Sequence, residues 1–172
     1  MKKLLTVVLT IVSILSANSQ SVNKLKKELL NSLEQKSSEL TKLSDNIWEA
    51  AEVAFREEKS AEYLISYAKD NGLKIEKGLA GMPTAFTASY GEGNPVIGII
   101  GEFDALPGLS QATVPYSSKL VEGGAGHGCG HNLFGTASLG AAVAIKELIE
   151  KGDLKGTVKF FGTPAEEKFF GK

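Results

Sequence analysis

Histidine and cysteine are concentrated in one short segment of this chain. The sequence contains two histidines and one cysteine, and His127, Cys129 and His131 alternate with glycine in the segment 126–131. In an extended backbone, residues i, i+2 and i+4 point to the same side, and glycine lets the backbone approach a ligand closely. Thiolate and imidazole groups on one side of a loop are typical ligands of a transition metal ion. The segment therefore indicates a metal site, with Cys129 and His131 as the best ligand candidates.

Other interpretations of this segment stay open at this point. His127 could be a third ligand, a hydrogen-bond donor to a substrate, or a residue that orients a ligand. The segment could also be a glycine-rich loop with a buried cysteine and polar histidines. A further alternative is a cysteine hydrolase with Cys129 as nucleophile and a nearby histidine as base. We favour the metal site because all three residues fall in one loop that precedes a predicted helix.

Carboxylates follow two apolar segments of the chain. The almost continuously apolar segment 96–100 predicts a strand buried on both faces, and Asp104 comes soon after it. A second predicted strand, 157–161, leads into Glu166 and Glu167. In α/β sheets, ligands collect beyond the carboxyl ends of the strands. Hydrolysis assisted by a metal ion needs one carboxylate on the metal and another that takes a proton from the bound water, and adjacent glutamates can divide these tasks.

Each of these acids also has a simpler interpretation. Adjacent glutamates are commonly an exposed acidic turn, although Pro164 and Ala165 before this pair favour an inward presentation. Asp104 could orient a ligand or bind a metal itself, and it could equally be a solvent-facing or loop-capping residue. Glu102 has the same alternatives with less support.

The elements that must position these residues follow the order helix, helix, strands, helix, strand. Apolar residues recur at three-, four- and seven-residue steps from 22 to about 54, which predicts one amphipathic helix, and a second helix is predicted from about 58 to 71. Short strands follow, and then a long loop, 105–131, which carries the metal-site segment. Asn132 is the predicted cap of a helix over about 133–151. This order predicts an α/β sandwich with a mostly parallel or mixed sheet.

The composition is that of a soluble globular protein. The chain has 172 residues, of which 42% are hydrophobic and 23% are charged, enough for one domain with a core. The formal net charge is -1 and no basic stripe is present, so we expect no nucleic-acid partner. A single cysteine excludes an internal disulfide.

The first 19 residues have the pattern of a secretory signal peptide. A short basic start precedes an apolar run that is too short to span a bilayer comfortably, and small residues follow at the spacing that a signal peptidase recognises. The alternatives are an amino-terminal helix of the fold or an uncleaved anchor. We predict a mature protein that begins near residue 20, is secreted or periplasmic, and has no membrane partner.

Three motifs, taken in order, resemble those of a known family. They are EFDALP at 102–107, GHGCGHN at 126–132 and GTPAEE at 162–167. Together they resemble the M20 metallopeptidase and amidohydrolase family, in the branch that includes aminobenzoyl-glutamate, auxin-conjugate and hippurate hydrolases. The resemblance covers essentially the whole mature chain, since IWE at 47–49 and FREE at 55–58 also fit this branch.

The resemblance implies a fold, a reaction and a set of site residues. The fold is a three-layer α/β/α sandwich of the zinc-exopeptidase type with two divalent metal ions, manganese or zinc. The reaction is hydrolysis of an amide bond in a small substrate, such as an N-acyl amino acid or an aminobenzoyl-glutamate-like compound. By motif, Cys129, His131 and Glu167 would be metal ligands and Glu166 the general base. Asp104 would contact a metal ligand without binding the metal itself.

The resemblance also implies that this chain is incomplete. Family members are more than twice as long, and they carry further histidine ligands and a smaller lid or dimerisation domain. We therefore expect residues 20–172 to be the amino-terminal part of the catalytic domain. Such a fragment is expected to be inactive by itself and to form the family's homodimer only with the lid domain. A non-catalytic relic that keeps the fold is the remaining alternative.

Overall fold

The amino-terminal part of the structure is a pair of helices rather than one. The computed structural model describes residues 22–169, so the predicted signal peptide lies outside the described residues. Helix α1 covers 22–35 and helix α2 covers Ser37–Ala50. The amide of Lys36 donates to the carbonyls of both Ser32 and Leu33, and this tightened turn interrupts the single helix that was predicted. Helix α2 ends before residue 54 because Ala51 adopts a left-handed conformation.

Helix α3 agrees with the sequence prediction and has an identifiable start. It covers Glu58–Asp70 and is followed by Gly72, whose φ of 79° suits the residue just past a helix. The Glu52 carboxylate accepts hydrogen bonds from the amides of Lys59 and Ser60, which have no partner within the helix. A side chain from outside the helix therefore fixes where it begins.

The strands form one mixed sheet. Its strands are β1 (Lys74–Lys77), β2 (Phe86–Glu92), β3 (Val96–Glu102) and β4 (Gly156–Thr163), in the spatial order β1-β2-β4-β3. Strand β2 pairs antiparallel with both β1 and β4, whereas β3 and β4 are parallel. Helix α4 (His131–Glu150) lies between β3 and β4 in the chain, and the short helix α5 (Glu166–Phe169) follows β4. The predicted α/β class and mixed sheet are confirmed.

The core lies between one face of the sheet and the helices. Alternate residues of β4 are buried, as expected for a strand with one face packed on helices. The buried cluster joins both layers and includes Leu64, Ile65, Phe86, Leu139, Val143, Val158 and Phe160. Helices α3 and α4 pack on this face, and α2 packs on both of these helices. Within residues 22–169 this arrangement supplies two of the three layers that the family resemblance implies.

Strand β3 is less buried than its sequence predicts. Val96, Ile97 and Ile100 are 58%, 52% and 50% exposed, so the prediction of a strand buried on both faces is wrong for the part of the chain that the structure describes. The reason is topological, because β3 is the edge strand of the described sheet. Only its last two residues, Gly101 and Glu102, are buried.

Close packing places the start of α4 against the end of β3. A Cβ atom on Gly135 would lie 2.7 Å from the carbonyl oxygen of Glu102, so only glycine permits this approach. The predicted cap Asn132 lies inside α4 and donates to the Ser44 hydroxyl at 2.9 Å, while Gly130 occupies the cap position. The prediction of Asn132 as a cap is therefore wrong. None of the helices among residues 22–169 combines the length and the apolar composition needed to cross a membrane.

Candidate metal centre

Three chain segments meet at the carboxyl ends of the parallel strands. Strands β3 and β4 run side by side, with Glu102 opposite Thr163, so both chains leave the sheet at the same edge. Asp104 follows β3, and α5 begins with Glu166 after β4. His131 is the first residue of α4, which lies against β3. This edge is where ligands collect in α/β sheets.

The His131 imidazole lies between two pairs of carboxylates. Its Nδ1 atom is 3.1 Å from Oδ1 of Asp104 and 3.8 Å from Oε1 of Glu167. Its Nε2 atom is 3.0 Å from Oε2 of Glu102 and 3.9 Å from Oε2 of Glu166. Four carboxylates from two strand ends therefore converge on one buried ring.

Asp104 connects the His131 ring to Glu166 and Glu167, the acidic pair. Its carboxylate is buried, and Oδ2 accepts a hydrogen bond from the Glu167 amide at 2.9 Å. Burial alone would raise the pKa of Asp104, but the hydrogen bonds and charge from His131 and the Glu167 amide lower it overall. An ionised carboxylate and the Asp104 carbonyl can only accept, so Nδ1 of His131 carries a proton. Nε2 faces Glu102 at 3.0 Å, and a cation bound there would take the place of a proton on this nitrogen.

The charge at this site is strongly negative. Burial alone would lower the pKa of His131, but Asp104, Glu102 and Glu167 outweigh burial and raise it. Even a protonated imidazole carries one positive charge against the four carboxylates around it. A divalent cation at this place would offset the remaining charge and replace the proton.

Two sets of ligand atoms are close enough to share an ion. Cys129, His131 and Glu167 form one set, and Glu102, His131 and Glu166 form the other, with the ligand atoms of each set within 4.8 Å of one another. The structure thus brings together the predicted residues Cys129, His131, Glu166 and Glu167. It also brings in Glu102, which the sequence supported only weakly. Its spacing of two from Asp104 was the available signal, because such residues point to the same side of an extended chain.

Cys129 has the environment of a ligand candidate rather than of a nucleophile. Its side chain is exposed, and a hydrogen bond and the charge of Glu167 raise the pKa of the thiol. A nucleophilic cysteine needs the opposite, a pKa lowered by a positive neighbour. The structure therefore disfavours the cysteine-hydrolase alternative.

His127 lies apart from both sets of ligand atoms. Its Nε2 donates to the carbonyl of Ile47 at 3.1 Å, because a carbonyl oxygen can only accept. Its Nδ1 is buried and has no hydrogen-bond partner among the described residues. Burial lowers the pKa of His127, so the ring is neutral near neutral pH. This hydrogen bond connects segment 126–131, the metal-site loop, to α2. It does not bring His127 together with the other predicted ligands.

Glu57 is a buried carboxylate that the sequence analysis did not single out as a site residue. It is fully buried, and it accepts a hydrogen bond at 2.9 Å from the amide of Ala165, the residue before Glu166. No local pattern could have identified this contact, since the two residues are 108 positions apart.

The fold and the site together are those of a hydrolase family with metal-ligand residues at the carboxyl ends of its strands. The sequence profile of peptidase family M20/M25/M40 matches residues 98–171. This match includes most of β3, the metal-site loop, α4 and the acidic pair. The chain belongs to this peptidase family.

Relatives of known name agree with this assignment. The chain is 45% identical over 133 residues to a subunit of p-aminobenzoyl-glutamate hydrolase from Escherichia coli strain K12, covering 77% of this chain and 28% of that protein. It is 40% identical over 76 residues to N-acetylcysteine deacetylase of Bacillus subtilis strain 168, covering 44% and 19%. A crystal structure of a dinuclear metal-binding M20 peptidase from Bacillus subtilis superposes with a TM-score of 0.61 at 28% identity, covering 76% of this chain and 36% of that one. The chain thus spans about a third or less of the length of these relatives.

Proposed function

We propose that this chain carries the amino-terminal part of the catalytic site of a metal-dependent amidohydrolase. The observation that carries the proposal is the convergence of Cys129 and His131, from one loop, with Glu167, from the turn after β4, since their ligand atoms lie within 4.8 Å of one another. Thiolate, imidazole and carboxylate groups are each established ligands of transition metal ions.

The donor atoms fit divalent manganese or zinc. Carboxylates suit manganese, whereas thiolate and imidazole suit zinc. Two ions are proposed because a solved structure similar to this chain is a dinuclear metal-binding M20 peptidase, and Glu102 adds a carboxylate beside the cluster of Cys129, His131 and Glu167. A bound divalent ion lowers the pKa of water and polarises an amide carbonyl. Cys129, His131 and Glu167 are the ligands proposed from this chain, and Asp104 orients the imidazole among them.

Glu166 is proposed as the general base and Glu167 as a ligand. The Glu166 side chain is 23% exposed, against 11% for Glu167, so Glu166 is better placed to reach water and substrate. A base in this position takes a proton from the attacking water and returns it to the leaving amine. Glu167 is held more firmly, because its amide donates to Asp104.

The substrate is proposed to be a small amide with an apolar acyl group. A cavity of about 350 Å³ lies beside the metal-site loop, lined by Trp48, Leu109, Val121, His127 and neighbouring residues. Its walls are mostly apolar with a few polar groups, as in sites that bind small organic ligands. N-acyl amino acids and aminobenzoyl-glutamate-like amides, the classes named by the relatives, have this chemistry.

The proposed function is tested with the full-length protein that contains this chain. We expect Glu166→Ala to lower kcat on N-acyl amino acids and aminobenzoyl-glutamate by about a hundredfold or more, since a general base contributes that much. Metal content, measured by atomic spectroscopy, should stay at the wild-type value. Lys168→Ala, next to the acidic pair but outside the site, is the control. Normal turnover by the Glu166 variant would refute the assigned role.

Export of the protein is a separate proposal. The basic start, apolar run and small residues within positions 1–19 support a cleaved signal peptide. Amino-terminal sequencing of protein recovered from the periplasm or medium should begin near residue 20. Recovery of the uncleaved chain from the cytoplasm would contradict this proposal.

A further inference from the structure

The buried carboxylate of Glu57 lies outside the metal centre and contacts the turn that precedes Glu166 and Glu167. Glu57 has no exposed surface, and its Oε1 accepts a hydrogen bond from the Ala165 amide at 2.9 Å. Its Oε2 accepts a second bond from the Thr84 hydroxyl at 3.2 Å. Burial raises the pKa of Glu57, and hydrogen bonds from backbone groups at Glu57, Phe55 and Ala165 and from Thr84 oppose this rise without cancelling it. Burying a carboxylate in this way is costly, and it is tolerated only where several donors converge.

The turn that Glu57 holds has an unfavourable backbone conformation. Ala165 has a φ of 60°, in the left-handed region that residues with a Cβ atom rarely adopt. It lies directly before Glu166 and two residues before Glu167, and both Pro164 and Ala165 are buried. The conformation of Ala165 therefore decides the direction in which the chain leaves β4 and presents both acids. A hydrogen bond to its amide is one contact that holds this conformation.

The neighbouring carboxylate of Glu52 provides a comparison. It also accepts backbone hydrogen bonds, but from Lys59 and Ser60 at the start of α3. Glu52 thus supports a helix, whereas Glu57 reaches across to the active-site turn. The two residues lie five positions apart in the same segment and have different targets.

We infer that Glu57 is a positioning residue, whose buried carboxylate holds the Ala165 amide and thereby orients Glu166 and Glu167 for metal binding and proton transfer. This inference rests on the proposed amidohydrolase function for its catalytic part. Its structural part, the fixing of the turn, stands on the hydrogen bonds alone.

The test compares three variants of the full-length protein. Glu57→Ala removes both hydrogen bonds, and Glu57→Gln keeps an acceptor for Ala165. Glu52→Ala is the control, because it removes a partly buried carboxylate that accepts from backbone amides elsewhere. We expect Glu57→Ala to lower kcat about a hundredfold with little change in KM, because a small displacement of catalytic groups has that effect. Its affinity for manganese or zinc should fall about tenfold.

The other variants separate positioning from general destabilisation. Glu57→Gln should stay within about threefold of wild-type kcat, since a neutral acceptor retains the hydrogen bond. Glu52→Ala should lower Tm while leaving kcat and metal affinity within about twofold of wild type. Equal losses of kcat in Glu57→Ala and Glu52→Ala at equal losses of Tm would overturn the inference. Wild-type kcat and metal affinity in Glu57→Ala, or a Gln variant as impaired as the Ala variant, would overturn it too.

Two further measurements keep the result interpretable. If Glu57→Ala fails to fold, Thr84→Val removes one partner of the carboxylate and should give an intermediate loss of kcat, and an unchanged kcat would count against the inference. Amide hydrogen exchange at Ala165 should become about tenfold faster or more in Glu57→Ala.

Absence of amide hydrolysis in the wild type would refute the proposed function. Metal affinity and exchange at Ala165 would still decide the role of Glu57.

Discussion

The Glu167 amide donates a hydrogen bond to Oδ2 of Asp104 across 63 positions of the chain, at 2.9 Å. The other oxygen of the same carboxylate lies 3.1 Å from Nδ1 of His131. One buried side chain therefore sets the positions of two proposed metal ligands. Partners of this kind orient ligands and increase their affinity for the metal.

Replacing Asp104 should weaken metal binding without removing a ligand. In Asp104→Asn, the amide group can accept from Glu167 or from His131 but not from both, because one carboxylate oxygen becomes an NH₂ donor. We expect an affinity for manganese or zinc lower by about tenfold to a hundredfold, measured by competition with a chelator. Asp45→Asn, at an exposed position of α2, is the control. An unchanged affinity in the Asp104 variant would show that the aspartate does not orient the ligands.

Cys129 should discriminate between metal ions. A thiolate favours zinc over manganese, so Cys129→Ser should weaken zinc binding by about tenfold or more and manganese binding less. Titration of the metal-free full-length protein with each ion measures this difference. The competing cysteine-nucleophile mechanism makes a different prediction, namely activity that resists chelators and is lost irreversibly on alkylation.

Glu147 should make the stability of the helical layer depend on pH. It accepts hydrogen bonds from Ser32 at 2.6 Å and from Lys36 at 2.5 Å. Burial alone would raise its pKa, but these two partners lower it below the ordinary value of 4.5. The resulting stabilisation is present above pH 4.5 and is lost as the pH falls through the lower pKa of the folded state.

A urea titration of Glu147→Gln tests this pH dependence. At about pH 7 the variant should be less stable than wild type by about 1 kcal/mol, the value of a favourable ion pair that is mostly buried. At a lower pH, once the carboxylate of the wild type has taken up a proton, the difference should shrink. A difference that is the same at both pH values would contradict the assignment.

Two glycines of α4 should respond differently to a methyl group. A Cβ on Gly135 would meet the backbone carbonyl of Glu102 at 2.7 Å, whereas one on Gly140 would meet the flexible side chain of Leu40 at 3.1 Å. Gly135→Ala should therefore destabilise the protein by about 1–3 kcal/mol, because α4 must move away from β3. In Gly140→Ala, the close contact with Leu40 should be offset by the helix preference of alanine over glycine, which is up to about 1 kcal/mol. The free energy of unfolding should therefore change little. Thermal unfolding compares them, and equal Tm values would refute the close approach.

Local patterns in the sequence were sufficient to predict most elements. The helical periodicity before residue 71 and the apolar segments around β3 and β4 predicted the α/β class correctly. The errors occurred where a distant contact decided the outcome. Asn132 lies inside a helix and donates to Ser44, 88 positions away, so its preference for caps did not apply. Strand β3 is apolar along its length, but its position at the sheet edge leaves Val96 and Ile97 exposed.

The sequence alone determined which chemical groups were available: the thiol, the imidazoles and the acidic pair, together with the strands and helix that carry them. These properties are local, because they depend on residue type and on spacing within a few positions. The tertiary structure decided which groups meet. It placed Glu102 against His131, separated His127 from the other candidates, and joined Glu57 to Ala165. Such contacts depend on strand order and helix packing over many tens of residues, which no short pattern specifies.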